Sequence, residues 1–171
     1  MLTTVGRRVS LLAITATALA LASSAAWAVN AHFVGKVTAS LVGGPPATNA
    51  QVCWKEAGLG NNQSINYLAS GQGTATYVCV NNGGQCPNAA NKITVNGPVS
   101  TPATISSDKN GSITACLSVS PPSAGSFSCP GGQTLRLSLV SYTNLQIADT
   151  TNGISKPAEP PSLSANPFTC P

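Results

Sequence analysis

PATISSDKNGSITACLSVS, running from Pro102 to Ser120, is the stretch whose reading decides the fold class. Pro102 to Ser107 is one extended arm and Ser112 to Ser120 is the other. Asp108-Lys109-Asn110-Gly111 lies between them, and Asn and Gly are the residues that tolerate the positive φ of a tight hairpin turn. In the second arm Ile113, Ala115, Leu117 and Val119 share one face and Cys116 takes the other. That is the period-two alternation of a half-buried strand. The stretch predicts a β-hairpin.

The same alternation extends outward in both directions, and no long amphipathic helix interrupts it. From Phe33 to Leu41, Phe33, Val37, Ala39 and Leu41 point one way, and Val34, Lys36, Thr38 and Ser40 the other. Gly43-Gly44-Pro45-Pro46 breaks this strand, and Val52 to Lys55 reads as a short second one. Ser64 to Leu68 and Thr74 to Asn81 form a third region, where Gly71 and Gly73 predict a bulge or a hairpin. Asn81 to Asn91 is a polar loop. Pro121-Pro122 ends the arm at Ser120, and Gln133 to Tyr142 begins a last long strand region that continues through Leu145 to Thr150. There Leu135, Leu137 and Leu139 are expected on one side, with Arg136, Ser138, Val140 and Tyr142 on the other. Roughly seven short strands with frequent turns predict an all-β, antiparallel, immunoglobulin-like β-sandwich, with a small β-barrel as the alternative.

The N-terminus carries an address. Arg7 and Arg8 precede a small and apolar run, VSLLAITATALALA, from Val9 to Ala22. Ala26-Trp27-Ala28 supplies the small-x-small pattern of a signal-peptidase site. The run is shorter than the roughly 20 residues of a membrane span. Residues 1–28 are therefore expected to be a cleaved secretory signal. Residues 29–154 are expected to form a single β domain. Residues 155–171 form a Pro/Ser-rich tail carrying Cys170, and no stable membrane anchor is expected after cleavage. Only 7% of the chain is charged, and the basic residues outside the signal (Lys36, Lys55, Lys92, Lys109, Arg136, Lys156) are scattered. Nucleic-acid binding needs clustered cations, so no nucleic-acid partner is expected. A hydrophobic content of 42% in alternating runs argues against disorder.

Six cysteines follow the signal: Cys53, Cys79, Cys86, Cys116, Cys129 and Cys170. In an oxidising compartment they predict up to three disulfides, with 15 possible pairings. No pair has C-x-x-C spacing and the one histidine, His32, lies far upstream, so neither a metal nor another cofactor is expected. His32 is read as an exposed edge-strand residue rather than a catalytic base. The mature chain holds four acids, Glu56, Asp108, Asp149 and Glu159. Asp108 is explained by turn chemistry and Glu159 lies in the tail. Glu56 and Asp149 remain, and they form the sparse site of a hydrolase only if the fold brings them together. A non-enzymatic protein is expected instead. Two glycine-rich loops are the candidate binding surfaces: 55–62, with Lys55, Glu56, Leu59 and Asn61, and 81–87, with Asn82 and Gln85.

The strings KEAGLG (55–60), CVNNGG (79–84), NAANK (88–92) and DTTNG (149–153), in this order after an export signal, resemble an uncharacterised family of small secreted proteins of actinomycete-type bacteria. The resemblance spans roughly Phe33 to Gly153. It implies bacterial export, a compact β domain and no catalytic residues. Cys79 and Cys129 match its more constant cysteines, which implies a Cys79–Cys129 bond. Many of the family's relatives lack counterparts of Cys86, Cys116 and Cys170, so the resemblance leaves the other pairings open. The pairs expected are Cys53–Cys116, both opposite their strand's apolar stripe, and Cys86–Cys170, joining a loop to the tail. The expected function is a secreted extracellular protein, structural or interacting at a bacterial surface through a surface polymer or protein. The alternative is an inhibitor or ligand-binding module that uses the two loops.

Overall fold

The computed structural model describes residues 30–44, 48–86 and 91–171. The expected export signal at 1–28, the Pro45-Pro46 break and most of NAANK lie outside these residues. The described chain forms nine strands: β1 (His32–Phe33), β2 (Val37–Val42), β3 (Asn49–Ala57), β4 (Ser64–Asn81), β5 (Lys92–Ser106), β6 (Ile113–Val119), β7 (Gln133–Asp149), β8 (Ile154–Glu159) and β9 (Ser162–Ala165). The fold is all-β.

The strands follow the path β1-β3-β2-β8-β7-β4-β5, with β6 added on β3 and β9 on β7. One leaf is β2-β3-β6 and the facing leaf is β8-β7-β4-β5. This is the immunoglobulin-like sandwich arrangement. Its leaves are joined at β8, which pairs antiparallel with β7 and parallel with β2 (Val37↔Ala158, Thr38↔Glu159). The expected purely antiparallel sheet thus has one parallel junction, because β8 follows β7 through the 149–153 turn and so arrives running the same way as β2. Residues 155–171, read from sequence as a tail, supply most of β8 and all of β9.

One core fills the space between the leaves. Alternate residues of β3 (Ala50, Val52, Trp54), β4 (Ile65, Tyr67, Ala69) and β7 (Val140, Tyr142) point into it. Burying apolar area at about 25 cal/mol per Å² is the main stabilising term. Trp54 and Tyr67 meet across the leaves with ring centroids 4.8 Å apart. The Tyr142 hydroxyl donates to the Thr48 carbonyl at 3.0 Å, so its polar end is satisfied inside the core.

The predicted hairpin at 102–120 does not form as a hairpin. Its turn is real: Gly111 N–H donates to Asp108 O at 3.0 Å and Asp108 N–H to Ser112 O at 2.9 Å. Its arms, however, belong to opposite leaves. The first is the end of β5, paired with β4 from Lys92 onward, and the second is β6, paired with β3. Each arm satisfies its backbone on a distant strand, and the turn becomes the corner between leaves. No ladder joins β5 to β6 among the described residues; the Thr101 hydroxyl donates across to Ser118 O at 2.8 Å. The barrel is therefore left open.

Two bulges correct the expected faces of the last strand. Thr76 pairs with Leu139 and Tyr77 with Leu137, so Ser138 is an extra residue. A one-residue insertion reverses the alternation. Leu137 consequently enters the core at 3% exposure, Leu139 turns outward at 38%, and Val140 and Tyr142 take core positions. At the second bulge Asn144 adopts φ 54° and Leu145 packs inward over Gly71. A Cβ on Gly71 would lie 2.9 Å from Leu145 Cδ2. Gly71 thus lies opposite a bulge of β7, and β4 runs through it as one continuous strand rather than a hairpin.

The corner itself depends on close backbone approach. Gly111 has φ 71°, and a Cβ there would lie 2.9 Å from Gly60 N. Gly125 has φ 60° with open space around it. Gly111→Ala is expected to lower unfolding stability by about 2–3 kcal/mol, from strain plus the clash, and Gly125→Ala by about 1 kcal/mol, from strain alone. Urea denaturation of the oxidised proteins measures both; equal losses would refute the role given to the Gly60–Gly111 contact.

Candidate functional site

The two candidate loops lie at opposite ends of β4. That strand is 18 residues long, so on the order of 50 Å of strand separates them. They do not form one site.

The first loop is clamped against the corner. Leu59 N–H donates to Gly111 O at 3.0 Å, and Ser107 N–H to Gln63 O at 2.8 Å. The Ser107 hydroxyl accepts from Gln63 N–H at 2.8 Å and donates to Gly60 O at 2.7 Å. Leu59 is buried beneath these bonds, and Glu56 points inward in phase with Val52 and Trp54. Only Lys55 and Asn61 of the four residues singled out here are exposed. Glu56 and Leu59 are therefore not available to an external ligand, because the alternation of β3 and the clamp turn both side chains into the core. His32 lies at the exposed β1 edge, its Nδ1 donating to Asn30 O at 2.7 Å.

Behind this clamp the fold brings together the two carboxylates that the sequence left apart. Glu56 and Asp149 are both fully buried. Tyr67 Oη donates to Glu56 Oε2 at 2.7 Å. Asp149 Oδ1 accepts from the backbone N–H groups of Thr151 at 2.8 Å and Asn152 at 2.9 Å, and Oδ2 from Asn152 Nδ2 at 2.5 Å. Among the described residues, Glu56 Oε1 and Trp54 Nε1 have no hydrogen-bond partner. Loss of solvation pushes the Glu56 carboxyl up to about 7; the Tyr67 hydrogen bond opposes this, and the neighbouring Asp149 adds to it. Burial, with the Glu56 carboxyl beside it, likewise raises the Tyr67 phenol. This is a carboxyl pair with a raised acid, the pattern that acid–base catalysis uses. Its side chains are buried in the core, although Tyr67 and Thr150, the residue after Asp149, also line a groove of about 600 Å³ with Asn66, Pro102 and Thr104. Sequence reasoning named Glu56 and Asp149 but missed Tyr67 and Trp54; the one signal available was that KEAGLG and DTTNG each carry one of the acids.

The second loop opens on a concave surface. Asn81 Oδ1 accepts from Gly83 N–H at 3.0 Å and Gln85 N–H at 2.9 Å, which fixes the turn while leaving Asn82 and Gln85 exposed. A groove beside it runs over the outer face of β4 and β7. The C-terminal segment bounds it, with Phe168 lining two adjoining parts. Two of the three disulfides hold the surroundings, and the third lies in the other leaf. Cys86–Cys170 ties the loop to that segment, with Cα atoms 5.7 Å apart. Cys79–Cys129 (5.5 Å) fastens the 120–132 loop to β4, where Tyr77 Oη also donates to Pro122 O at 2.7 Å. Cys53–Cys116 (4.0 Å) links directly opposite residues of β3 and β6. These are the cysteines that the sequence reading joined. Such bonds are typical of proteins from oxidising compartments.

Comparison with protein-family models gives no match, and none of the curated proteins matches the chain.

The buried acid makes a stability prediction. Its folded value lies above the ordinary 4.5, so the folded state holds the proton more tightly than the unfolded chain. Stability from this group is complete below about pH 4.5 and is lost as pH rises through 7, by on the order of 3 kcal/mol. The oxidised protein is expected to melt lower at pH 8 than at pH 5, and Glu56→Gln to remove most of that difference. A pH dependence unchanged in Glu56→Gln would show that the proton is held elsewhere.

Proposed function

We propose that this protein is an exported, non-catalytic module that works by contact outside the cell, at a bacterial surface. The observation that carries the reading is the burial of Glu56 and Asp149. The one pair of acids with the proximity for acid–base chemistry sits at 0% exposure, so a substrate would reach it only through an opening of the surrounding core. Three disulfides support an oxidising environment, and the Arg7 to Ala28 sequence supports export to it. The resemblance to small secreted bacterial proteins points the same way. A chain with only 7% charged residues presents hydroxyl and amide groups instead, as on the outer face of β4 and β5, where Thr74 meets Asn96 and Thr76 meets Thr94. Such a surface suits a polymer or protein partner. Of the ligand-binding alternative, the loop at 81–87 gains support because it borders the groove, whereas the loop at 55–62 does not.

The test is expression of the full chain in a bacterial host, followed by fractionation and intact-mass analysis with and without reductant. The expected product begins at Val29, carries three closed disulfides and co-sediments with envelope material. Cytosolic, unprocessed protein with free thiols would overturn the reading. So would a turnover activity that disappears in Glu56→Gln or Asp149→Asn.

A further inference from the structure

The groove beside the 81–85 loop has a charge pattern that the scattered basic residues of the sequence do not reveal. Lys92 of β5 and Arg136 of β7 both pair in register with the same residue, Val78 of β4. Directly opposed residues share a sheet face, so the two cations flank Val78 in one row across three strands. Two strand spacings, about 10 Å, separate their backbones. Phe168 lines the part of the groove that contains Lys92 and the part that contains Arg136. The aromatic ring is thus placed between two cationic compartments. The remaining lining is apolar or hydroxyl and amide: Val78 and Thr76 on one side, Asn82 and Thr134 on the other.

The anions of the molecule are committed elsewhere. Of its four acidic side chains, Glu56 and Asp149 are buried in the core, and Glu159 pairs with Lys36 at 2.6 Å. Asp108 Oδ1 accepts from Asn110 and Ser112 N–H groups in the corner at the far end of β4. Lys92 and Arg136 consequently have no carboxylate side chain as partner. Two such cations in one concave face form a positive site that no acidic side chain neutralises, and Arg suits bidentate recognition of carboxylate or phosphate. A half-buried aromatic ring lining a groove amid hydroxyl and amide groups favours a ligand with flat apolar faces and many hydroxyls, which is the chemistry of a sugar ring.

We propose that this groove binds an anionic polysaccharide, with Lys92 and Arg136 holding carboxylate or phosphate groups on either side of a sugar that packs on Phe168. The proposal rests on the extracellular-contact reading above and names its ligand class. The Cys86–Cys170 bond has a definite part in it, because it holds the segment that carries Phe168 over the sheet.

Binding is measured by calorimetry on the oxidised, signal-free chain with polygalacturonate, poly(glycerol phosphate), neutral dextran and poly-glutamate. One or both sugar-type polyanions are expected to bind, more weakly at higher salt, and the tighter of the two identifies the anion. Lys92→Gln/Arg136→Gln is expected to weaken that binding by about tenfold or more. Lys55→Gln/Lys109→Gln, which removes the same net charge at the far end of β4, is expected to leave it within about twofold. Phe168→Ala is expected to weaken binding to the sugar polyanion. Equal loss in both double variants, equal binding of dextran, equal binding of poly-glutamate, or no binding of either polyanion would overturn the proposal. Unchanged melting temperatures separate lost contacts from lost folding. Envelope co-sedimentation that persists when polyanion binding fails removes this groove assignment alone; loss of both removes the extracellular-contact reading with it.

Discussion

The close approach of the 58–63 loop to the 107–112 turn is the constraint on which the sandwich depends. Here the chain leaves one leaf and enters the other, so its backbone groups have no neighbouring strand of their own. Leu59, Gln63 and Ser107 supply the missing partners, and Gly111 lets the two backbones touch. An unpaired buried backbone group is costly, so this local set of bonds keeps the corner closed. Once the corner is set, β6 runs beside β3 in a register that places Cys53 opposite Cys116 and Glu56 opposite Ile113. The disulfide and the buried acid are both consequences of that register.

The acid at the end of β3 then needs a neutral or well-bonded state. A buried carboxylate without partners would be expensive. Tyr67 from β4 and Asp149 from β7 close around it, so a single polar cluster ties three strands across both leaves. Asp149 is itself held by the 149–153 turn that leads into β8. The polar core and the junction between leaves are in this way one construction. Its chemistry resembles that of an acid–base pair, and its buried hydrogen bonds tie together the strands that carry it.

At the other end of the molecule β4 and β7 extend as a long arm. Loop and tail segments replace a second leaf as the cover on its faces. The 120–132 loop covers Tyr77 and Cys79 on the inner side, and the C-terminal segment borders Val78 on the outer. Irregular segments bury little surface and hold poorly by packing alone, and a disulfide fastens each of them. The same arrangement leaves a groove at the margin of the outer cover. The rigid site and the exposed one thus lie at opposite ends of β4.

Sequence alone determined most of the strand-forming stretches with their turns, but not the first part of β5 or the strands β8 and β9, and it pointed to disulfide use of the six cysteines, because these follow from side-chain period and from glycine and asparagine chemistry. The alternation of Ile113, Ala115, Leu117 and Val119 survives in the structure as read. What the alternation does not contain is the identity of a strand's neighbour. The arms at 102–107 and 112–120 carry the local marks of a hairpin, yet each pairs with a strand distant in sequence. Nor does period two announce the extra residue at Ser138, since a bulge forms only against a partner, and that one insertion exchanged Leu139 for Val140 in the core. The meeting of Glu56 with Asp149, and the row of Lys92, Val78 and Arg136, likewise join residues that are far apart in sequence. Only tertiary structure decided them, because long-range register is settled by the packing of the whole core rather than by any one segment.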